Sequence, residues 1–250
     1  MCYLRYKKGR RERVKMSGHG HWTVAHEFLG HNLHFNMDTI LTMWFTMAIL
    51  LVLALLTTRK LSIFPSKIQL LWESFIGYFA DMTQQSMGME EAKKHNPLIL
   101  TLFFFILTAN LVGQLPWVIF KLEHGEFASP NNDINMTAAM AIVVSIYYIY
   151  YGVKKRGLKF FFPGWDMNGI IMTIIDGMEL VIRPFSLALR LFANILAGEI
   201  LIVTLLSLCW VIFPIPLVMK FFELFVALIQ AMVFALLATT YITMSVSEEH

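Results

Sequence analysis

Residues 187–197 read Leu-Ala-Leu-Arg-Leu-Phe-Ala-Asn-Ile-Leu-Ala and place one arginine, Arg190, inside an apolar segment. Arg190 is the only charged residue between Arg183 and Glu199. On insertion scales an arginine at the centre of a bilayer costs about 2.5–3.5 kcal/mol. Residues of this kind face a protein interior or a water-filled cavity, and by default they mark functional sites. The stretch therefore predicts a membrane protein with a functional arginine whose partner lies in this chain or in another.

The composition of the whole chain agrees with this prediction. Of the 250 residues, 57% are hydrophobic and 15% are charged, whereas globular domains have about 25% charged residues. The net charge of +3 is small, and the basic residues are not interleaved with stacking aromatic rings, which argues against nucleic-acid binding. Cys2 and Cys209 lie far apart and suit neither a disulfide framework nor a metal site. The sequence contains no glycine-rich nucleotide motif, so no cofactor is predicted.

Five segments are apolar enough to cross a membrane, which takes about 20 residues. We predict an all-α polytopic membrane protein with five transmembrane helices and one interfacial amphipathic helix. Asn96-Pro97 is typical of a helix start and sets the beginning of the second span. The predicted divisions of this single membrane domain are a tail over 1–38, a first span over 39–58, a loop with the amphipathic helix over 59–95, further spans over 96–120 and 134–153, and two long helices over 177–208 and 211–246.

Basic residues indicate the orientation, because they are enriched on the cytoplasmic side of a membrane. Arg59-Lys60 follows the first span and Lys154-Lys155-Arg156 follows the third, which predicts an outer N-terminus and a cytoplasmic C-terminus. Residues 1–15 carry seven lysines and arginines and one glutamate, which conflicts with an outer N-terminus. We interpret Met16 as the native start, or residues 1–15 as a basic extension.

Polar residues of the fourth helix fall on one stripe. Asp176, Arg183 and Arg190 are seven residues apart, and at 100° per residue each step drifts by only about 20°. Asn194 extends the stripe by one turn. Glu179 and Arg183, four residues apart, could also form an ordinary ion pair.

A second polar set lies beyond Arg190. Glu199 is nine residues from Arg190 and points to roughly the opposite helix face. On the last helix Glu223 and Gln230 share a face, and a helical hairpin could bring Glu223 close to Glu199. Two neighbouring carboxylates in a low dielectric cannot both ionise without cost, so such a pair suits proton exchange along a water-filled path.

Residues 183–199, Arg-Pro-Phe-Ser-Leu-Ala-Leu-Arg-Leu-Phe-Ala-Asn-Ile-Leu-Ala-Gly-Glu, closely resemble the signature of subunit a of F-type ATP synthases. The resemblance extends to residues 96–116, 130–137, 223–231 and 247–250. It implies that Arg190 is the essential arginine facing the ring of c subunits. It also implies that the polar groups of the proton path are those of Asn194, Glu199, Glu223 and Gln230, and that Asp176 lines the cytoplasmic exit. Some members of the family carry histidine at the position of Glu223.

The same resemblance implies the partners and the location of the chain. The last two helices are expected to be strongly tilted and to form a hairpin against the c-ring. The chain is expected to be a non-catalytic subunit that provides two proton half-channels. The b-subunit peripheral stalk, the remaining ATP synthase subunits and the lipid bilayer are its further partners. The bacterial plasma membrane is favoured over an organelle membrane.

Other functions are compatible with parts of the sequence. A self-contained ion-coupled secondary transporter could use an arginine and glutamate site, although no internal repeat is visible. A purely structural membrane scaffold would tolerate neutral residues in place of Arg190, Glu199 and Glu223. Five histidines crowd the N-terminal tail, but their spacing is irregular and well-placed co-ligands are lacking, so no metal site is predicted.

Overall fold

The structure is a computed structural model that describes residues 14–16, 22–28, 31–59, 67–114, 130–157, 167–208 and 214–246. Three strands come first in the chain, and long helices follow. The strands are β1 (Val14–Met16), β2 (Trp22–Phe28) and β3 (His31–Asn36). The helices are α1 (Met37–Thr58), α2 (Lys67–Met87), α3 (Met89–Gln114), α4 (Ile134–Arg156), α5 (Met167–Leu208) and α6 (Pro214–Val246). A short 3-10 helix, Pro130–Asn132, precedes α4.

Five of the described helices are long and apolar enough to cross a membrane, namely α1, α3, α4, the central part of α5, and α6. Large apolar side chains such as Leu51, Phe185 and Phe221 point outward from them, which suits contact with lipid or with a neighbouring apolar protein. The prediction of an all-α polytopic membrane protein is therefore confirmed. The remaining long helix, α2, lies between the first two spans, where an amphipathic helix was expected.

The N-terminal tail contains a small antiparallel sheet that was not predicted. The strand order is β1-β2-β3, and Val24 of β2 lies opposite Val14 on one side and Phe35 on the other. The predictions about residues 1–13 lie outside the described residues. The tail histidines also lie outside them or on strands for which the structure describes the backbone alone.

The second span begins earlier than its sequence suggested. The prediction that Asn96-Pro97 starts this helix is wrong, because α3 begins at Met89 and Pro97 lies inside it. Gly88 adopts φ +84°, and this left-handed residue ends α2 and lets the next helix start at once. Glu90 and Glu91 lie in the first turn of α3, where their negative charges interact favourably with the positive end of the helix dipole.

The buried core lies between α3, α4, α5 and α6. Small residues of α6 recur every three or four positions, and they let α6 approach its neighbours closely. Larger side chains of α3 and α4 fill the space that remains. The fully buried residues of this core include Ile99, Phe103 and Ile106 of α3, Val144 of α4, Leu191 of α5, and Ala231, Ala235, Ala238 and Ile242 of α6.

Asp133 joins the beginnings of α1 and α4. It is the N-cap residue of α4 and accepts a hydrogen bond from the backbone N–H of Asn135 at 2.9 Å. The same carboxylate accepts from Asn36 Nδ2 at 2.7 Å and from Thr39 Oγ1 at 3.3 Å. We call this end of the bundle, where α1, α4 and α6 begin, the Asp133 end. The opposite end, where α4 and α6 finish, is the Arg156 end.

Replacing Asp133 with alanine should lower the stability of the bundle. The variant loses a helix cap, which commonly contributes about 1 kcal/mol, and it also loses the link to α1. Thermal unfolding of the detergent-solubilised protein measures the effect as a lower midpoint. Asp81→Ala, at an exposed position on α2, is the matched control. Equal midpoints for the two variants would contradict the assigned role of Asp133.

Candidate functional site

The long helix α5 carries the predicted stripe without a break. Asp176, Arg183, Arg190 and Asn194 all lie within Met167–Leu208, and Pro184 is accommodated inside the helix. The stripe runs along the edge of the buried side of α5. Beside it Leu187 and Leu191 are packed in the core, whereas Arg190 itself is exposed.

Arg190 has no ion pair or side-chain hydrogen bond with the part of the chain that the structure describes. A guanidinium in a membrane-spanning helix requires a counter-charge or water. Its exposure on the outer flank of α5 leaves it open to a group on a neighbouring protein. The geometry is therefore that of a fixed cation presented at the surface of the bundle.

Three contacts show that α5 and α6 run antiparallel. Arg183 lies over the ring of Tyr241, Asn194 meets Gln230, and Gly198 meets Glu223. Partner numbers fall along α6 as they rise along α5. The first two contacts are eleven residues apart on each helix, so the register is held over about three turns.

The contact between Asn194 and Gln230 is a direct hydrogen bond. Asn194 Nδ2 donates to Gln230 Oε1 at 2.7 Å. Gln230 is 5% exposed, and its Nε2 has no hydrogen-bond partner among the described residues. A buried amide N–H without a partner is costly, and buried groups of this kind commonly bind an ordered water. This position, one turn beyond Arg190, is thus suited to hold water between the two helices.

Glu223 is held in a niche at the surface of α5. Its Oε1 lies 3.1 Å from where a β-carbon on Gly198 would stand, so the absence of a side chain at this position makes room for the carboxylate. Lys220 Nζ donates to Glu223 Oε2 at 3.3 Å. Glu199 is the next residue after Gly198, and the structure describes its backbone alone. Contact between the carboxylates of Glu199 and Glu223 therefore stays a prediction.

Two buried asparagines that the reasoning from charge and helical spacing did not single out extend this polar region. Asn131 Nδ2 donates to Asn110 Oδ1 at 2.8 Å, and Asn110 Nδ2 donates to the backbone oxygen of Ala227 at 3.4 Å. Asn131 is fully buried and Asn110 nearly so. In the sequence, Asn110 could have been recognised as an amide inside an otherwise apolar span. The contacts link the 3-10 helix at the Asp133 end to α3 and α6.

The other polar set lies towards the Arg156 end. Asp176 is half-buried on α5 and has no ion pair or side-chain hydrogen bond among the residues described. Glu179 pairs with Arg183 within the same helix. Arg190 therefore stands between two separate polar regions. One runs from Asn131 towards Gln230, and the other contains Asp176.

The fold and the site define a multi-pass α-helical membrane protein with polar groups on both sides of an exposed arginine. A family model described as ATP synthase A chain matches residues 40–243, which is most of the chain. The chain therefore belongs to the ATP synthase A chain family. It is a proton-translocating, non-catalytic subunit of the membrane sector of an ATP synthase.

Filling the niche beside Glu223 should impair proton transport. Gly198→Ala places a β-carbon 3.1 Å from Glu223 Oε1, and the carboxylate must move by a few tenths of an ångström. We expect a modest loss for alanine and a larger loss for Gly198→Val. ATP-driven proton transport by the whole complex in membrane vesicles measures both. Gly77→Ala on α2, with nothing within 4 Å of its added carbon, is the control. Full transport by the valine variant would contradict the role of the niche.

Proposed function

We propose that this chain is subunit a of a rotary F-type ATP synthase, and that it provides two proton half-channels and the stator arginine for the c-ring. One observation carries the proposal. Arg190 is exposed and without a partner among the described residues, and it separates two polar regions of the same bundle. A leak-proof path needs such a break, because a continuous polar path would let protons cross without turning the ring.

The inlet half-channel is assigned to the polar region at the Asp133 end. It comprises Asn131, Asn110 and Glu223, with Asn194 and Gln230 nearest to Arg190. Glu199 is assigned to the same region from its place next to Gly198. The amide side chains form hydrogen bonds with water, and the carboxylates exchange protons with it. Since the buried Nε2 of Gln230 has no hydrogen-bond partner among the described residues, a water chain can end there.

At the end of the inlet, the proton is transferred to a carboxylate of a c subunit. Neutralisation removes most of the cost of moving that carboxyl group into lipid, so the ring can turn. A membrane potential contributes about 2.3 kcal/mol per charge per 100 mV. The returning carboxyl group loses its proton to the outlet half-channel near Asp176. Arg190 then stabilises the ionised carboxylate electrostatically and repels any proton that would cross directly.

The orientation follows from charge. Lys154, Lys155 and Arg156 close α4, which assigns the Arg156 end to the cytoplasm. Arg156 Nη2 also donates to the backbone oxygen of Met244 at 3.2 Å and thereby ties α4 to the last turn of α6. With this orientation the inlet opens outward and the outlet inward, in the plasma membrane of a bacterium. The c-ring faces Arg190, and the b-subunit peripheral stalk holds the chain still.

Arg190→Ala should abolish coupled proton transport, because the ionised ring carboxylate loses its fixed counter-charge. ATP synthesis and ATP-driven proton pumping by the whole complex in vesicles are the measurements, each normalised to the amount of assembled complex. Arg59→Ala, at the end of α1, removes an arginine from outside the site and should leave both rates unchanged. Coupled synthesis at the normal rate with alanine at position 190 would overturn the proposal.

Asn110→Leu should slow proton transport, because it removes the amide that joins Asn131 to α6. The variant loses both hydrogen bonds of Asn110, and each is worth about 1 kcal/mol, so the rate should fall roughly fivefold or more if these bonds lie on the proton path. Proton pumping at saturating ATP is the measurement. Thr101→Val removes an exposed hydroxyl from the same helix and is the matched control. The inlet assignment fails if the two variants pump equally fast.

A further inference from the structure

Arg183 occupies a junction of three helices that the proton path does not use. Its guanidinium carbon lies 5.3 Å from the centre of the Tyr241 ring on α6. The Tyr241 ring in turn lies 6.1 Å from the ring of Tyr148 on α4, at an angle of 55°. Within α5 the guanidinium also pairs with Glu179. One side chain of α5 is therefore held by groups of α5 and α6, with α4 packed behind them.

The junction is partly enclosed and polar. Tyr148, at the base of the junction, is 1% exposed. The Arg183 side chain is 19% exposed. The Glu179 side chain is 43% exposed, and partly solvated ion pairs contribute only about 0–1 kcal/mol of stability. A pair in this place is better explained by a role in fixing one arrangement of the helices.

The direction of Arg190 depends on how α5 is rotated about its axis. Apolar faces specify that rotation weakly in a membrane, because lipid is as apolar as the side chains. Arg183 and Arg190 are seven residues apart, so a fixed direction for one sets the direction of the other to within about 20°. Arg190 has no ion pair or side-chain hydrogen bond of its own among the described residues, so its direction is set by the contacts on either side, Arg183 with Tyr241 and Asn194 with Gln230.

Pro184 strengthens the need for an anchor at this point. A proline inside a helix lacks the N–H that would bond four residues back, here to Leu180. The turn before Arg183 is therefore less restrained than the turns that follow. From Arg183 to Arg190 the helix is regular, and it can transmit a rotation fixed at Arg183.

We propose that Arg183, through its contact with Tyr241, is the positioning residue that directs Arg190 towards the c-ring. This role rests on the function proposed above. The guanidinium lies over the Tyr241 ring and pairs with Glu179, so Arg183 does not compete with Arg190 for the ring carboxylate. The two arginines of the stripe thus divide the tasks of orientation and of charge stabilisation.

The test uses the whole complex in membrane vesicles with Tyr241→Leu, which removes the ring. ATP-driven pumping per assembled complex should fall about fivefold or more, as expected for the loss of a partly desolvated cation–π contact. Passive proton permeability of vesicles stripped of the catalytic head should rise, because a misdirected Arg190 no longer separates the half-channels. Tyr241→Phe keeps the ring and should restore most of the pumping.

Controls separate this role from general packing. Tyr150→Leu removes an exposed tyrosine of α4 and should leave pumping unchanged. If Tyr241→Leu does not assemble, the paired change of Arg183→Gln with Glu179→Gln takes its place in the test. It removes the guanidinium without leaving an unpaired charge, and it should likewise lower pumping and raise the passive permeability. A structural role alone would lower total pumping and permeability only in proportion to the amount of assembled complex. Pumping per complex would then be unchanged, and this result would overturn the inference.

The outcome for Arg190→Ala keeps the two proposals apart. If that variant loses coupled pumping while Tyr241→Leu and the paired variant keep normal pumping, the positioning role is wrong and the proposed function stands. If Arg190→Ala pumps normally, the proposed function fails, and the positioning role fails with it.

Discussion

Lipid gives little gain for packing one apolar helix against another, so a membrane bundle must fix its helix registers by close packing and polar contacts. Polar contacts set the register of α5 on α6. Asn194 with Gln230 and the niche at Gly198 for Glu223 hold one half of the helix pair, and Tyr241 holds the other half. The arrangement of the site depends on that register, because the register determines which polar side chains of α6 lie beside Arg190.

Two arginines of α5 show how the same residue type can take opposite environments. Arg183 is half-buried, paired with Glu179 and placed over the ring of Tyr241, whereas Arg190 is exposed and has no partner among the described residues. A seven-residue spacing alone gives them nearly the same direction. Their difference comes from the neighbours, since the C-terminal half of α6 covers the stripe at Arg183, whereas the stripe is open at Arg190.

Much of the fold was readable from local patterns. Hydropathy predicted the five spans, and helical periodicity placed Asp176, Arg183 and Arg190 on one stripe of α5. What escaped prediction depended on distant packing. Asn110 contacts residues 21 and 117 positions away, and no local period carries that information. The prediction of a helix start at Pro97 was wrong because the chain turns at Gly88, and α3 starts directly after that turn.

The two sides of Arg190 both contain carboxylates, but the described amides lie on one side. The side towards the Asp133 end combines Glu223 with buried amides, which hydrogen-bond water but do not bind protons at ordinary pH. Asp176 supplies a carboxylate on the other side. In the proposed function, the amides hold water between groups that exchange protons, and Asp176 accepts a proton from the ring and releases it to water. Arginine stays protonated near neutral pH, so in the proposed function Arg190 keeps the two regions apart and remains available to a charge that moves past it.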